Sequence, residues 1–181
     1  QSESDSLKIP EDHISLTIHE SLLNTFFQNI GEIRGEGTNA VIDYSWFLLE
    51  PRVEIEEDQI HFYAKVRAKT KNFRVTRDVV GNMSVTFDQE SNILDVKVDK
   101  ADVILDIDIF GNNFVLAELD IAKYFTKSLK LDGPNSLNNQ IEYELPNGDE
   151  KIMQVNTKSY ELLLVKDAIE LITVLEFNLI K

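Results

Sequence analysis

The chain has 181 residues and contains no cysteine. This absence excludes a disulfide framework and a thiol nucleophile, but it does not fix a compartment, because a domain of this size can be stable without bridges. Histidine is also scarce. His13, His19 and His61 fit no zinc spacing, and position 23 lacks the second histidine that a metalloprotease helix would carry after His19-Glu20. The sequence therefore predicts no metal site.

The signatures of common enzymes are missing as well. The chain has no Gly-x-Ser-x-Gly elbow and no Gly-x-x-x-x-Gly-Lys phosphate loop. The segment 35–40 resembles a dinucleotide fingerprint, but it follows a predicted helix, so we expect a flexible turn there. The segment 106–111 resembles a calcium loop, yet Phe110 occupies a ligand position and Ala117 replaces the closing Glu. We therefore predict a protein that is not an enzyme and has no cofactor.

Positive charge is in short supply. Asp and Glu number 32 against 18 Lys and Arg, which gives a formal charge of −14 and disfavours nucleic acid as a partner. No run approaches the roughly 18 apolar residues of a membrane-spanning helix. Residues 1–12 are mostly polar and predict a flexible tether. We expect the mature part of an exported protein, periplasmic or associated with the outer membrane and anchored by a lipid. The alternative is that the sequence begins at an arbitrary point.

The clearest local pattern is a helix from Thr17 to Gly31. Thr17 and Glu20 have the spacing of a capping box, and Gly31 suits the left-handed residue that ends a helix. Large apolar residues recur at helical spacing: Ile18, Leu22, Leu23, Phe26, Phe27 and Ile30. The pattern predicts that this helix is the central piece of the core.

Most of the remaining chain alternates between apolar and polar residues, which predicts antiparallel strands with one buried face. We expect a strand over 40–49 that ends at Pro51, and two strands or one bent strand over 53–71. Further strands are predicted through residues 73–80, 83–87 and 94–109. A second helix is expected over about 116–130.

The last fifty residues contain two hairpin signals. Asn147-Gly148 predicts a turn between strands over 141–145 and 152–155. Residues 160–180 also fit a helix, but their β-branched residues and the turn-like Lys166-Asp167 favour a second hairpin. The predicted fold is therefore α+β: a single domain, 13–181, in which a long, strongly curved antiparallel β-meander wraps around the N-terminal helix, with a second helix near 116–130.

One charged segment departs from the acidic composition. No acid lies between Asp58 and Asp78, and the segment holds six of the 18 basic residues. We call these six residues the basic patch: Lys65, Arg67, Lys69, Lys71, Arg74 and Arg77. Its odd-numbered members are predicted to share a strand face with His61 and Tyr63. Such a stripe could contact anionic headgroups, an acidic partner or the protein's own acidic strands, or it could be an ordinary solvated face.

The order of these elements resembles the tubular lipid-binding (TULIP-like) superfamily in its small bacterial exported forms. The segments that carry the resemblance are Ile14–Phe27, Asp58–Val66 and Asp167–Phe177. The resemblance implies a curved sheet around a helix, with an apolar groove for a lipid or another apolar small molecule. The groove residues that it implies are Phe26, Phe27, Ile30, Phe62, Val66 and Leu105.

Two functions follow from the sequence. The first is a non-enzymatic exported protein that binds a lipid or other hydrophobic ligand between helix and sheet. The second is a structural or interaction module of the cell envelope, with a fully packed core and a surface that docks to a membrane or an envelope protein. An open apolar groove favours the first function, and a filled core with an exposed patch favours the second.

Overall fold

The computed structural model describes residues 13–39, 42–125 and 127–180. The N-terminal tether predicted over 1–12 lies outside the described residues. In the described part of the chain, the elements are β1 His13–His19, α1 Glu20–Asn29, β2 Ile33–Asn39, β3 Ile42–Glu56, β4 Gln59–Lys69, β5 Arg74–Asp88, β6 Ile93–Lys100, β7 Asp102–Ile109, β8 Asn112–Asp120, a 3-10 helix Ile121–Tyr124, β9 Leu129–Asp132, β10 Asn138–Glu144, β11 Glu150–Val165 and β12 Ala168–Leu179.

The strands form three antiparallel sheets among the described residues. A six-stranded sheet has the order β2-β3-β4-β5-β6-β9, a four-stranded sheet has the order β1-β12-β11-β10, and β7 pairs with β8 as a separate hairpin. The prediction of an α+β fold is therefore wrong, because the described part of the chain is mostly β, with curled sheets and one short α-helix. The prediction of antiparallel strands is confirmed.

The N-terminal helix is shorter than the predicted range and is not wrapped by the meander. It buries only Leu23 and Phe27 and packs against β3. Most of the core instead comes from strands, including the fully buried Phe62, Leu94 and Ile169. Ten residues have too small an apolar face to fill a sheet that long, so strands pack on strands.

The predicted capping box does not form. Thr17 lies in β1 opposite Glu170, so the helix begins three residues later than expected. His19 is the N-cap, and its Nδ1 accepts a hydrogen bond from Ser21 N at 3.1 Å. The Glu20 carboxylate accepts from Ile55 N at 2.8 Å in β3. The Glu20 carboxylate therefore binds a neighbouring strand and does not cap the start of its own helix.

The predicted second helix over 116–130 is absent. Residues up to Asp120 belong to β8, which pairs with β7, and only the 3-10 turn Ile121–Tyr124 is helical. Asp120 caps that turn by accepting from Ala122 N at 3.1 Å. The described residues of the range predicted as a helix are thus divided between β8, a single turn and β9, because β7 pairs with β8 along most of its length.

The glycine-rich segment predicted as a flexible turn is strand β2. Gly35 lies opposite Trp46, and Gly37 lies opposite Tyr44. In both pairs the aromatic ring covers the glycine so closely that a Cβ would overlap it. The two glycines therefore leave space for the aromatic rings of the paired strand. The prediction of a turn from glycine content is wrong for this segment.

Pro51 does not end its strand either. β3 continues through Pro51 to Glu56, with a register shift between Leu49 and Arg52 and a positive φ of 52° at Glu50. This β-bulge accommodates a residue that has no backbone N–H to donate to the ladder. The pairing with β2 extends only as far as Leu48, so at Pro51 only one side of β3 needs a partner.

Several sequence predictions are confirmed. β4 alternates buried and outward residues along its length, and it is a strand separate from β3. β10 and β11 pair across the Asn147-Gly148 turn, and β11 pairs with β12 across Lys166-Asp167. The four-stranded sheet is connected to the helix and β3 through that second turn: Asp167 N donates to Ile55 O at 2.9 Å, and Asp167 O accepts from Glu20 N at 2.8 Å.

Candidate docking surface

The residues predicted to line a ligand groove lie within or next to the packed core. Phe27 contacts Phe62 with ring centroids 5.5 Å apart, and Phe125 lies 5.5 Å from Phe27 and 5.3 Å from Phe62. Phe62, Val66 and Leu105 have no exposed surface. Phe125 belongs to this aromatic cluster, although the sequence placed it on the second helix. The three rings fill space that a ligand groove would need.

A small cavity remains beside this cluster. Phe26, Phe27 and Ile30 line it together with Phe125 and residues of β6, and its volume is about 30 Å³. Pockets that enclose small-molecule ligands usually measure roughly 300–1,000 Å³. Three of the six predicted groove residues therefore meet at an apolar cavity, but this cavity is far smaller than a lipid.

The basic patch occupies the outward face of β4 and the neighbouring end of β5. Lys65, Arg67 and Lys69 are exposed on β4, and Arg74 lies directly opposite Lys69 on β5. Lys71 is exposed in the turn between the two strands. Five of the six predicted cations are therefore brought together.

Two members of the basic patch already have partners. Lys65 donates to Glu50 at 2.6 Å, and this hydrogen bond lowers the pKa of Glu50 and raises the pKa of Lys65. Arg77 faces the other side of the sheet, opposite the buried Val66. Its Nε donates to Asp106 Oδ1 at 2.6 Å, and its Nη2 donates to Asp106 O at 2.9 Å. Arg77 therefore joins β5 to β7 and does not belong to the outer cationic face.

Four cations remain without an ion pair among the described residues: Arg67, Lys69, Lys71 and Arg74. Lys69 and Arg74 form a cross-strand pair of like charge, an arrangement that destabilises a sheet. Carboxylates lie nearby without forming an ion pair with these cations: Glu36 and Asp43 line the same open depression as Lys69 and Lys71. The charge of Arg67 also contributes to lowering the pKa of Glu50. The hydrogen-bonding groups of the four cations are therefore available to an external anion.

An exposed aromatic residue lies in the turn next to these cations. Thr70 is buried and organises the turn: its Oγ1 accepts from Phe73 N at 3.0 Å, and its N–H donates to Phe73 O at 2.9 Å. The Phe73 side chain is nevertheless 40% exposed. The hydrogen bonds between Thr70 and Phe73 thus order a turn that carries both the exposed Lys71 and Phe73.

A second exposed aromatic residue forms the tip of the β7–β8 hairpin. Phe110 is 101% exposed, so its ring packs against nothing in the described chain. Phe110 and Gly111 have φ of 54° and 79°, which is the pattern of a two-residue type I′ turn. A bulky side chain at positive φ is strained by roughly 1–3 kcal/mol. Phe110 therefore destabilises the free protein in two ways: its ring is exposed to water, and its backbone has a strained positive φ.

The two turns lie at the same end of the molecule. β7 packs against β5 in the opposite direction, because a Cβ on Gly81 would meet Ala101 while Arg77 binds Asp106. Continuing along both strands brings the β7–β8 tip toward Arg74, where β5 begins. We call this region the docking end, and it consists of Lys69, Lys71, Phe73, Arg74 and Phe110.

A group of acidic side chains lies at the opposite end of β4. The β3–β4 turn and the β11–β12 turn meet there around an open depression of about 540 Å³, lined by Glu20, Glu54, Glu56, Glu57 and Asp167 together with Ile55 and Lys166. β4 has 11 residues, so the two ends are separated by about 35 Å at ~3.3 Å per residue. Across the described residues, no group of acids and histidines is arranged to hold a metal ion. The two ends of β4 therefore differ in charge: this depression has five acids and one lysine, whereas Lys69 and Lys71 at the docking end lie beside two acids, Glu36 and Asp43.

Comparison of the chain with protein-family models, with curated proteins and with solved structures finds no match. The resemblance to the tubular lipid-binding superfamily therefore stays a prediction. Within the described residues, no helix has the length and apolar character needed to span a membrane.

Proposed function

We propose that this protein is a non-enzymatic interaction module that docks to an anionic surface through Arg67, Lys69, Lys71 and Arg74. The observation that carries the proposal is the group of four cations without an ion pair in the described chain, which includes a cross-strand pair of like charge. Such a group costs stability in the free protein and gains favourable contacts only when an anion approaches. The packed core favours this function over storage of a large ligand. We place the protein in the cell envelope, as an exported component.

The proposal is tested with heparin as a multivalent anionic probe. A triple variant, Arg67→Gln, Lys69→Gln and Arg74→Gln, removes three of the four cations. Each basic residue contributes about 1 kcal/mol at an anionic surface, so we expect roughly a hundredfold weaker binding at low salt. The binding of the unchanged protein should fall steeply as salt is added.

A matched control removes the same charge elsewhere. Lys97, Lys130 and Lys158 are exposed and have no ion pair among the described residues. Changing all three to Gln should leave heparin binding within about twofold of the unchanged protein, because they lie away from the docking end. Equal losses in both triple variants would mean that net charge alone governs binding, and the proposed surface would be wrong.

A second candidate function is binding of an apolar ligand next to α1. Its support is the mainly apolar cavity of about 30 Å³ that Phe26, Phe27 and Ile30 share with Phe125, which would have to widen by movement of these side chains to admit a lipid. Native mass spectrometry of the purified protein, followed by organic extraction, would detect a bound lipid. A stoichiometric lipid that Phe26→Ala releases would favour this candidate, whereas a protein that carries no lipid would exclude it.

A further inference from the structure

We infer that the docking end binds a lipid bilayer that contains anionic lipids, with Phe110 and Phe73 entering the interfacial region and Lys69, Lys71 and Arg74 contacting the headgroups. This inference rests on the proposed function for its electrostatic part, and it adds the nature of the surface. It also accounts for Phe110, which contributes no packing to the fold.

The aromatic side chains suit the boundary between water and lipid. Phe110 lies at the end of a two-stranded hairpin and is 101% exposed, and Phe73 in the β4–β5 turn is 40% exposed. Phe is among the residues that interfacial segments bury at the headgroup–acyl boundary, and burial of a phenyl ring there removes apolar surface from water. The two rings belong to separate turns, so they can enter a fluid layer independently.

The neighbouring cations provide the second attraction. Lys69 and Arg74 oppose each other on adjacent strands, and Lys71 lies in the same turn as Phe73. A single apolar insertion gives weak and reversible membrane binding, whereas an apolar insertion combined with basic residues gives stable binding. The docking end combines both features within one pair of turns.

The distribution of acids sets the orientation. The acidic depression around Glu56 and Asp167 lies at the other end of β4, about 35 Å away, and this is several times the Debye length of roughly 8 Å at physiological salt. Near the tip, the Asp108 carboxylate accepts from Gly111 N at 2.8 Å and supports the turn. Glu36 and Asp43 lie beside Lys69 and Lys71, so the attraction at the docking end depends on Arg67, Lys69, Lys71 and Arg74 outnumbering these two acids. An anionic bilayer therefore repels the far end more strongly than the docking end.

A bilayer fits this surface better than a protein partner does. Specific protein interfaces bury about 800 Å² per partner and need a continuous complementary face. The docking end instead presents two separate rings on two turns, and Lys69 and Arg74 lie on the outer face of the sheet, opposite the side on which β7 packs. A fluid bilayer accepts such rings without a matching shape.

The decisive experiment places a fluorescent probe at the tip. Trp46, the single tryptophan of the chain, is 1% exposed and provides a constant background. In Phe110→Trp, the added indole should shift its emission to the blue on mixing with phosphatidylglycerol–phosphatidylcholine vesicles, and brominated lipids should quench it. Vesicles of phosphatidylcholine alone should produce a much smaller change.

A second variant separates binding from folding. Asn suits a type I′ turn before Gly111, so Phe110→Asn should retain the fold while it loses the ring. We expect roughly tenfold weaker cosedimentation with the anionic vesicles. The matched control is Phe177→Asn, because Phe177 is 54% exposed on β12 in the four-stranded sheet. Its vesicle affinity should be unchanged.

The outcomes distinguish this inference from the proposed function. Heparin binding that depends on the basic residues, together with Phe110→Trp emission that stays as in water, would overturn the bilayer inference. It would leave Arg67, Lys69, Lys71 and Arg74 in place as the binding site for an anionic partner other than a bilayer. Loss of both signals would overturn both. Equal loss of vesicle binding in Phe110→Asn and Phe177→Asn would show that exposed apolar residues promote binding wherever they lie on the surface. That result would also contradict the inference.

Discussion

Asn24 is expected to anchor helix α1 to β3, and its removal should destabilise the protein more than any other change to a polar residue of that helix. Its Nδ2 donates to Val53 O at 3.1 Å, and its Oδ1 accepts from Val53 N at 2.7 Å. β2 ends its pairing with β3 at Leu48, so the free side of β3 at Val53 has no strand partner. The amide side chain thus replaces a strand neighbour.

The magnitude follows from these two bonds. Asn24→Ala leaves a buried N–H and a buried C=O of Val53 without partners, and each such group costs about 1–3 kcal/mol. The higher helix propensity of Ala returns about 0.5 kcal/mol. We therefore expect a net loss of at least about 1.5 kcal/mol in the free energy of unfolding. For a domain of this size, that corresponds to a fall of at least roughly 3 °C in the melting temperature.

Urea unfolding followed by circular dichroism measures this loss, with Asn29→Ala as the matched control. Asn29 lies on the same helix, but its side chain donates only to Thr25 O at 2.7 Å and is exposed. Its change should cost less than about 0.5 kcal/mol. If the two variants unfold at the same urea concentration, Asn24 does not anchor the helix, and the account of how α1 is attached would be refuted.

Three further predictions concern the strands at and near the docking end. Gly81→Ala should destabilise the protein by about 1–3 kcal/mol or prevent folding, because the new Cβ would overlap the Lys100 backbone carbonyl, and thermal melting would reveal the loss. Phe110→Asn should raise the free energy of unfolding by about 1 kcal/mol through relief of backbone strain, measurable by urea unfolding; a loss of stability would contradict the turn assignment. The hydrogen bond from Arg77 holds the pKa of Asp106 below its ordinary 3.8, so the stability it contributes is present above that value and is lost as the pH falls through the lowered pKa. Arg77→Gln should therefore be less stable than the unchanged protein at neutral pH and no less stable in strong acid, and a difference that persists in acid would rule out the carboxylate as its source.

The strands could be predicted from sequence because burial alternates with the same period as the backbone. β4 shows why: each apolar residue from Ile60 to Ala68 is buried and each intervening residue points outward, so the pattern is local and complete. The β11–β12 hairpin was favoured for a similar reason, since β-branched residues outweighed an equally spaced helical pattern. Local propensity and the final fold agree in these segments.

The helices could not be predicted with the same success because their signals depend on tertiary partners. The Glu20 carboxylate has the spacing of a cap but binds Ile55 in β3. The apolar residues after Leu116 have an approximate helical spacing, yet β7 supplies a strand partner as far as Asp120. Neither segment contains a local signal for the strand that lies next to it in the fold. That neighbouring strand decides whether the segment forms the predicted helix.

The candidate site shows the same division at the level of single residues. β4 and β5 pair so that Lys65 faces Asp78 and Lys69 faces Arg74, and odd residues of β4 therefore share a face with even residues of β5. The turn around Thr70 sets this register. As a result, Arg77 points inward to Asp106, and Arg74 lies on the outer face opposite Lys69. The alternation within β4 identifies the outward cations of that strand, but the register between β4 and β5 decides which cations of the two strands lie side by side. Because the same register opposes two like charges across the strand pair, the fold leaves a repulsion that a bound anion would relieve.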